Sequence, residues 1–170
     1  HVHFRDPGHP GKESWASGSR EAVRNGITTV FDMPNTNPPT VNERAVREKL
    51  EIAGSTSVAN YGIWAGATAD NLDQLGDLHD SGLVCGTKVF MGDSTGALAV
   101  STETLHGVFE HSKGIIGVHA EDQPILEAAK AKWAGTDSPC HNDVRPPEAS
   151  IEAVRTLIDL VEKTGRTVHV

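Results

Sequence analysis

The chain begins His1-Val2-His3-Phe4-Arg5. In an extended strand the side chains at i and i+2 project to the same face. His1 and His3 therefore aim two imidazoles at one point, and imidazole is the commonest metal-binding side chain. Three more chemically capable residues follow apolar, β-branched runs: Asn35 after "FDMP", Lys88 in "TKVFMG" and His119 in "GVHAED". A lone histidine at a strand end is more often a hydrogen-bonded structural residue than a ligand. Three histidines and a lysine at corresponding ends of successive strands favour a metal centre. Burying an unpaired ammonium costs several kcal/mol or forces it neutral. A neutral lysine is a nucleophilic amine and adds carbon dioxide to give a carbamate, whose two oxygens can bridge two divalent cations. A pair of cations held this way supplies an activated water at neutral pH, and zinc best suits a mixed nitrogen and oxygen donor set.

These residues need a scaffold that collects strand ends. Strands are expected at Thr28–Met33, Ala59–Ala65, Gly86–Met91, Ile115–His119 and Arg166–Val170, with "HVHF" as the end of another. Helices are expected at Glu13–Asn25, Glu43–Ala53, Asn71–Ser81, Thr102–His111, Pro124–Trp133 and Pro147–Thr164. In the last, Ile151, Val154, Leu157, Ile158 and Val161 fall at i, i+3, i+4 spacing and predict one buried face. Gly26 and Gly165 stand where helices stop. Strand and helix in alternation mean parallel strands with crossover helices. In parallel α/β folds the functional groups sit at the C-terminal ends of the strands. The expected fold class is α/β, a (β/α)8 TIM-type barrel of which about six of the eight βα units are present. Residues 1–170 would then be a partial barrel domain, with N- and C-terminal parts missing. An open doubly wound sheet is the alternative.

Composition narrows the function. The 170 residues carry a formal net charge of −8, against the clustered Lys and Arg that a nucleic-acid surface needs. No apolar run is long enough to span a membrane, and nothing reads as a signal peptide. Cys85 and Cys140 share no motif spacing, which fits a reducing compartment, so the expected location is cytoplasmic. Cys85 is expected in the core. His9, His79, His106, His111 and His141 read as solvent-facing, with His141, ahead of "RPPEAS", the nearest of them to a substrate. Trp15, Trp64 and Trp133 read as packing residues. Glu121 and Asp122 either orient ligands or cap the following helix. "GDSTGAL" reads as a Gly-rich turn at the mouth of the site, without the lysine of a phosphate-binding loop.

Taken in order, "HVHFRDPG", "GITTVFDMPNTNPPT", "KVFMGDSTG", "GVHAED" and "RPPEAS" resemble the cyclic amidases of the amidohydrolase superfamily, and most of all the dihydroorotases, over the whole chain. The resemblance implies a TIM-type barrel and two zinc ions per site. It makes His1, His3, Lys88 and His119 metal ligands, with Lys88 carboxylated and bridging. Asp93 is the alternative bridge, since some relatives use an aspartate from that loop. Arg5 and Asn35 would hold the substrate's carboxylate, the feature that separates dihydroorotate from allantoin and simple hydantoins. An Arg fork pairs with a carboxylate in bidentate fashion, and an Asn amide adds a donor. The implied reaction is the reversible hydrolysis of dihydroorotate to N-carbamoyl-L-aspartate in pyrimidine biosynthesis. The fourth histidine ligand and the proton-relay aspartate are expected beyond Val170, with His169 near the site but not a ligand. The expected partner is a small-molecule substrate; a homo-oligomer is compatible with the sequence. The rival readings are a hydantoinase- or allantoinase-type hydrolase and an inactive scaffold subunit.

Overall fold

The computed structural model describes residues 1–93, 98–136 and 140–170. Five strands, β1 (Thr29–Asp32), β2 (Asn60–Gly66), β3 (Gly86–Phe90), β4 (Ile115–His119) and β5 (Val168–His169), form one sheet in the order β1-β2-β3-β4-β5. Every pairing is parallel. The helices α1 (Trp15–Arg24), α2 (Glu43–Thr56), α3 (Leu75–Asp80), α4 (Thr102–His111), α5 (Gln123–Lys132), α6 (His141–Val144) and α7 (Pro147–Thr164) fill the connections. Sequential neighbours throughout, with no reversal of strand order, give the topology of part of a (β/α)8 barrel rather than of a doubly wound sheet. No helix among the described residues is long and apolar enough to cross a membrane.

The segment His1–Arg5 runs alongside β1. Val2 N–H donates to Phe31 O at 2.9 Å and Met33 N–H to Val2 O at 3.1 Å, a single parallel bridge to Asp32. The expected strand end is thus present as one rung. Val2 and Phe4 turn to the core and leave His1 and His3 on the opposite side.

Helix starts follow local chemistry. Ser14, Asn42, Ser101 and Asp122 each accept a backbone N–H of the first turn of α1, α2, α4 and α5, which satisfies a donor that has no partner inside the helix. Asp122 is therefore a cap. Gly165 ends α7 with φ of 69°, a left-handed conformation that glycine adopts without strain.

Three expectations change. The buried face of α7 is Ala149, Ala153, Leu157 and Leu160, while Ile151 and Ile158 are 49% and 52% exposed. The helix packs against α4 and α5; Leu157 of the expected face is buried and Val161 packs on the core, but alanines and Leu160 take the places expected of the isoleucines. The helix α6 was not expected; four residues are too few for a periodic signal, and it starts with Asp143 bonding back to Cys140 N. Cys85 is half-buried, and burial pushes its thiol up to about 11, so it is no nucleophile. Positions 94–97 of the "GDSTGAL" turn lie outside the described residues.

Candidate metal centre

A cavity of about 380 Å³ opens at the C-terminal ends of the strands. His1, His3, Lys88 and His119 all line it, with Trp64, Phe90, Gly117 and His169. Asp93, Arg5, Asn35 and His141 are not among its described lining residues. Asp93 and His141 are exposed. Trp64 packs as expected but also floors the cavity: a Cβ on Gly117 would lie 2.9 Å from the indole, and one on Gly86 would lie 2.6 Å from it. Both glycines are required for the ring to lie across β3 and β4.

The N-terminal ligand pair is fixed from behind. Phe4 is buried, stacks edge-on against Trp15 with ring centroids 5.1 Å apart, and presses on α1 at Gly18, where a Cβ would fall 2.2 Å from Phe4 Cε1. Gly18→Ala is expected to lower stability by about 1–3 kcal/mol through overpacking. An unchanged urea midpoint would show that the Phe4 ring can step aside.

Phe4 N–H donates to Asp32 Oδ1 at 2.8 Å, and Asp32 Oδ2 meets Lys49 Nζ of α2 at 2.5 Å with both side chains 0% exposed. Lys49 also donates to Met33 O at 2.7 Å. Burial lowers the Lys49 pKa, against the raising effect of Asp32. Sequence reasoning missed this pair, whose partners lie on different elements.

His1 Nε2 and His3 Nε2 are 3.2 Å apart. Two imidazole nitrogens bound to one zinc at about 2.0–2.1 Å subtend that separation at an angle of about 100°, close to tetrahedral. The pair fits a shared cation. His3 Nδ1–H donates to Asn35 Oδ1 at 2.6 Å, which leaves Nε2 as the lone-pair nitrogen. Burial lowers the His3 pKa, Lys88 and Arg5 push the same way, and Asn35 and Asp32 oppose them. A neutral ring is the form that binds metal.

Lys88 is 5% exposed and forms no ion pair among the described residues. Glycines flank it in register on both sides, Gly66 on β2 and Gly117 on β4, and its Nζ lies 5.2 Å from the Phe90 ring centroid. Burial pushes its pKa down to about 8.

His119 ends β4, and its Nε2 lies 2.6 Å from Glu121 Oε2. Glu121 is in turn gripped by Arg145, at 2.5 Å to Oε2 and 3.1 Å to Oε1. Burial would raise the Glu121 pKa, but the bonds from Arg145 and His119 hold it low. Glu121 and Asp122, adjacent in sequence, thus do different work. Among the described residues no group of three or more His, Cys, Asp and Glu side chains is close enough to hold a metal; what joins His119 and Lys88 to the His1–His3 pair is the cavity that all four line.

Arg5 has φ of 64°, left-handed for a residue with a Cβ, a conformation that costs on the order of 1–3 kcal/mol and clusters at functional sites. Its buried Nε has no hydrogen-bond partner among the described residues.

The family model of the amidohydrolase family matches residues 1–168. The chain belongs to the amidohydrolase family. Membership implies a metal cofactor, and the fold is that of a partial TIM barrel. Among the chain's relatives, the dihydroorotase of Halobacterium salinarum is 37% identical over 174 residues, covering 100% of this chain and 40% of the relative. The allantoinase of Streptomyces avermitilis is 34% identical, with 100% and 39% covered. Among solved structures, the L-hydantoinase (dihydropyrimidinase) from Arthrobacter aurescens superposes with a TM-score of 0.89 at 27% identity, over 99% of this chain and 39% of that one. The chain thus spans about 40% of the length of the curated relatives it matches.

Proposed function

We propose that residues 1–170 carry most of the dinuclear zinc centre of a cyclic amidohydrolase that interconverts dihydroorotate and N-carbamoyl-L-aspartate in pyrimidine biosynthesis, in the cytoplasm. The observation that carries this is the convergence of His1, His3, Lys88 and His119 on one cavity at the strand ends. Two zinc ions, when bound, supply Lewis acidity and an activated water.

The chain's own residues do the rest. His1 and His3 would hold one cation, each offering an Nε2 lone pair, and His119 would contribute from β4. Lys88, largely neutral once the pH passes about 8, would add carbon dioxide through its amine nitrogen with release of a proton to solvent, and the carbamate oxygens would serve as metal ligands. Its place on the cavity wall, against the exposed position of Asp93, supports it over that aspartate as the bridge. Arg5 forks onto the substrate carboxylate, and its unsatisfied buried Nε supports the role. Asn35 serves His3 through its oxygen; its amide nitrogen, which carries two hydrogens, donates to the same carboxylate. Together they turn the ring carbonyl toward the cations. The relatives are longer, and we place the proton-relay aspartate and a further histidine ligand outside these 170 residues.

The L-hydantoinase likeness favours a second reading, hydrolysis of neutral cyclic ureides. Purified protein assayed with dihydroorotate, hydantoin and allantoin separates the two, and two zinc ions per chain are expected by metal analysis. No zinc and no turnover would leave a scaffold role. Arg5→Ala is expected to lower kcat/KM for dihydroorotate about 100-fold or more, the scale of charge-assisted hydrogen bonds lost at a desolvated site. Unchanged dihydroorotate kinetics would remove Arg5 from the carboxylate site.

A further inference from the structure

The metal reading leaves Arg145 unused. It lies between α6 and α7, far in sequence from any ligand, yet three of its nitrogens are engaged with Glu121 and Asp93, and Glu121 touches the cavity-lining His119. Nε donates to Glu121 Oε1 at 3.1 Å and Nη2 to Glu121 Oε2 at 2.5 Å, a bidentate fork. Nη1 and Nη2 also donate to the backbone carbonyl of Asp93 at 3.3 and 3.2 Å. Glu121 Oε2 is the atom that meets His119 Nε2 at 2.6 Å. One guanidinium therefore ties the chain just after β3 to the carboxylate that holds the β4 histidine. Asp93 N–H is secured as well, donating to Gln123 Oε1 of α5 at 2.8 Å.

We propose that Arg145 is a positioning residue for the metal centre: it locks Glu121 so that Glu121 holds the His119 ring by Nε2 and leaves Nδ1 turned to the cation. A freely rotating glutamate could not select one nitrogen, because a single carboxylate contact allows the imidazole to flip. The fork removes that freedom by fixing both carboxylate oxygens. The presentation differs from that of His3, where Asn35 takes Nδ1 and leaves Nε2. The strands carrying Lys88 and His119 are held in register by their own ladder; the guanidinium adds a tie beyond it, from the chain after β3 to the carboxylate beside His119.

This inference rests on the metal reading of the cavity and not on the choice of substrate. The test compares wild-type protein with Arg145→Met, Arg145→Lys and Glu121→Gln, using zinc alone against a chromogenic chelator. Partners that orient metal-bound histidines are worth roughly 10–100-fold in affinity. Arg145→Met is expected to weaken zinc binding by that factor. Arg145→Lys, with one point charge in place of a planar fork, should recover only part of it, and Glu121→Gln should fall between. Equal zinc affinity in wild type and Arg145→Met overturns the inference while leaving the metal reading intact. No zinc binding by wild type overturns both.

A second measurement needs no variant. In metal-free wild-type protein at alkaline pH, nitrogen-15 histidine spectra should show His119 protonated at Nε2. Protonation at Nδ1 would refute the arrangement whatever the variants do.

Discussion

Lys88→Ala protein is expected to purify with little or no bound zinc and to turn over at least about 1,000-fold more slowly than wild type, a loss of roughly 4 kcal/mol of barrier stabilisation. The size follows from what one residue would supply: both oxygens of the bridge, and the negative charge that lets two cations sit close together. The strand itself should survive, because Lys88 lies between Gly66 and Gly117 and its side chain is not wedged between neighbours. Circular dichroism should therefore match wild type, and a small carboxylate such as propionate, filling the vacated space, should restore part of the activity. Retained zinc at wild-type stoichiometry in Lys88→Ala would transfer the bridging role elsewhere.

Lys88 also gives a signed pH dependence. Its folded-state pKa is pushed down to about 8 by burial, below the roughly 10.4 of an unfolded lysine. Between those values the unfolded chain binds more protons than the folded one, so the stability of metal-free protein rises with pH across that window. Below about pH 8 the full cost of the buried ammonium is present. Lys88→Met should flatten this rise in urea denaturation followed from pH 7 to 11. An equal slope in both proteins would mean that Lys88 is solvated in the folded state.

The second large effect belongs to Lys49. Lys49→Ala would leave the Asp32 carboxylate 0% exposed without its ion partner, and breaking a buried pair from one side costs about 3–5 kcal/mol. Against the 5–15 kcal/mol that holds a typical domain, that is a fifth or more of the total. Replacing both residues by apolar ones of similar size should cost far less, because no charge is then stranded, although Phe4 N–H would lose its acceptor. The comparison to make is the denaturation midpoint of Lys49→Ala against Lys49→Met combined with Asp32→Leu. If the single variant were no less stable than the double, Asp32 would be finding water.

The order of elements was legible because each strand is a compact β-branched run closed by a loop signal, and because His1 and His3 declare their shared face at i and i+2. His119 could be read from its place at the end of β4, whereas Lys88, expected at a strand end, lies in the middle of β3. What stayed hidden was pairwise and long-range. Lys49 stands among charged neighbours in "REKLEIA" and carries no local mark of being buried. Arg145 reaches Glu121 across 24 positions, and nothing near it in sequence announces the contact. Asn35 was read for its donor, whereas its acceptor is already engaged with His3. The buried face of α7 was legible at Leu157 and Val161 and misplaced at Ile151 and Ile158, because apolar bulk was counted and the alanines that share the packed face were not.

The indole beneath the cavity has a practical consequence. Of the three tryptophans, only Trp64 lines the pocket; Trp15 is shut inside the core, and Trp133 borders Lys132 at the end of α5. The protein therefore carries a built-in optical probe. Loading the cavity should change the emission of one fluorophore while the other two serve as an internal reference, and occupancy could be followed in real time without a label.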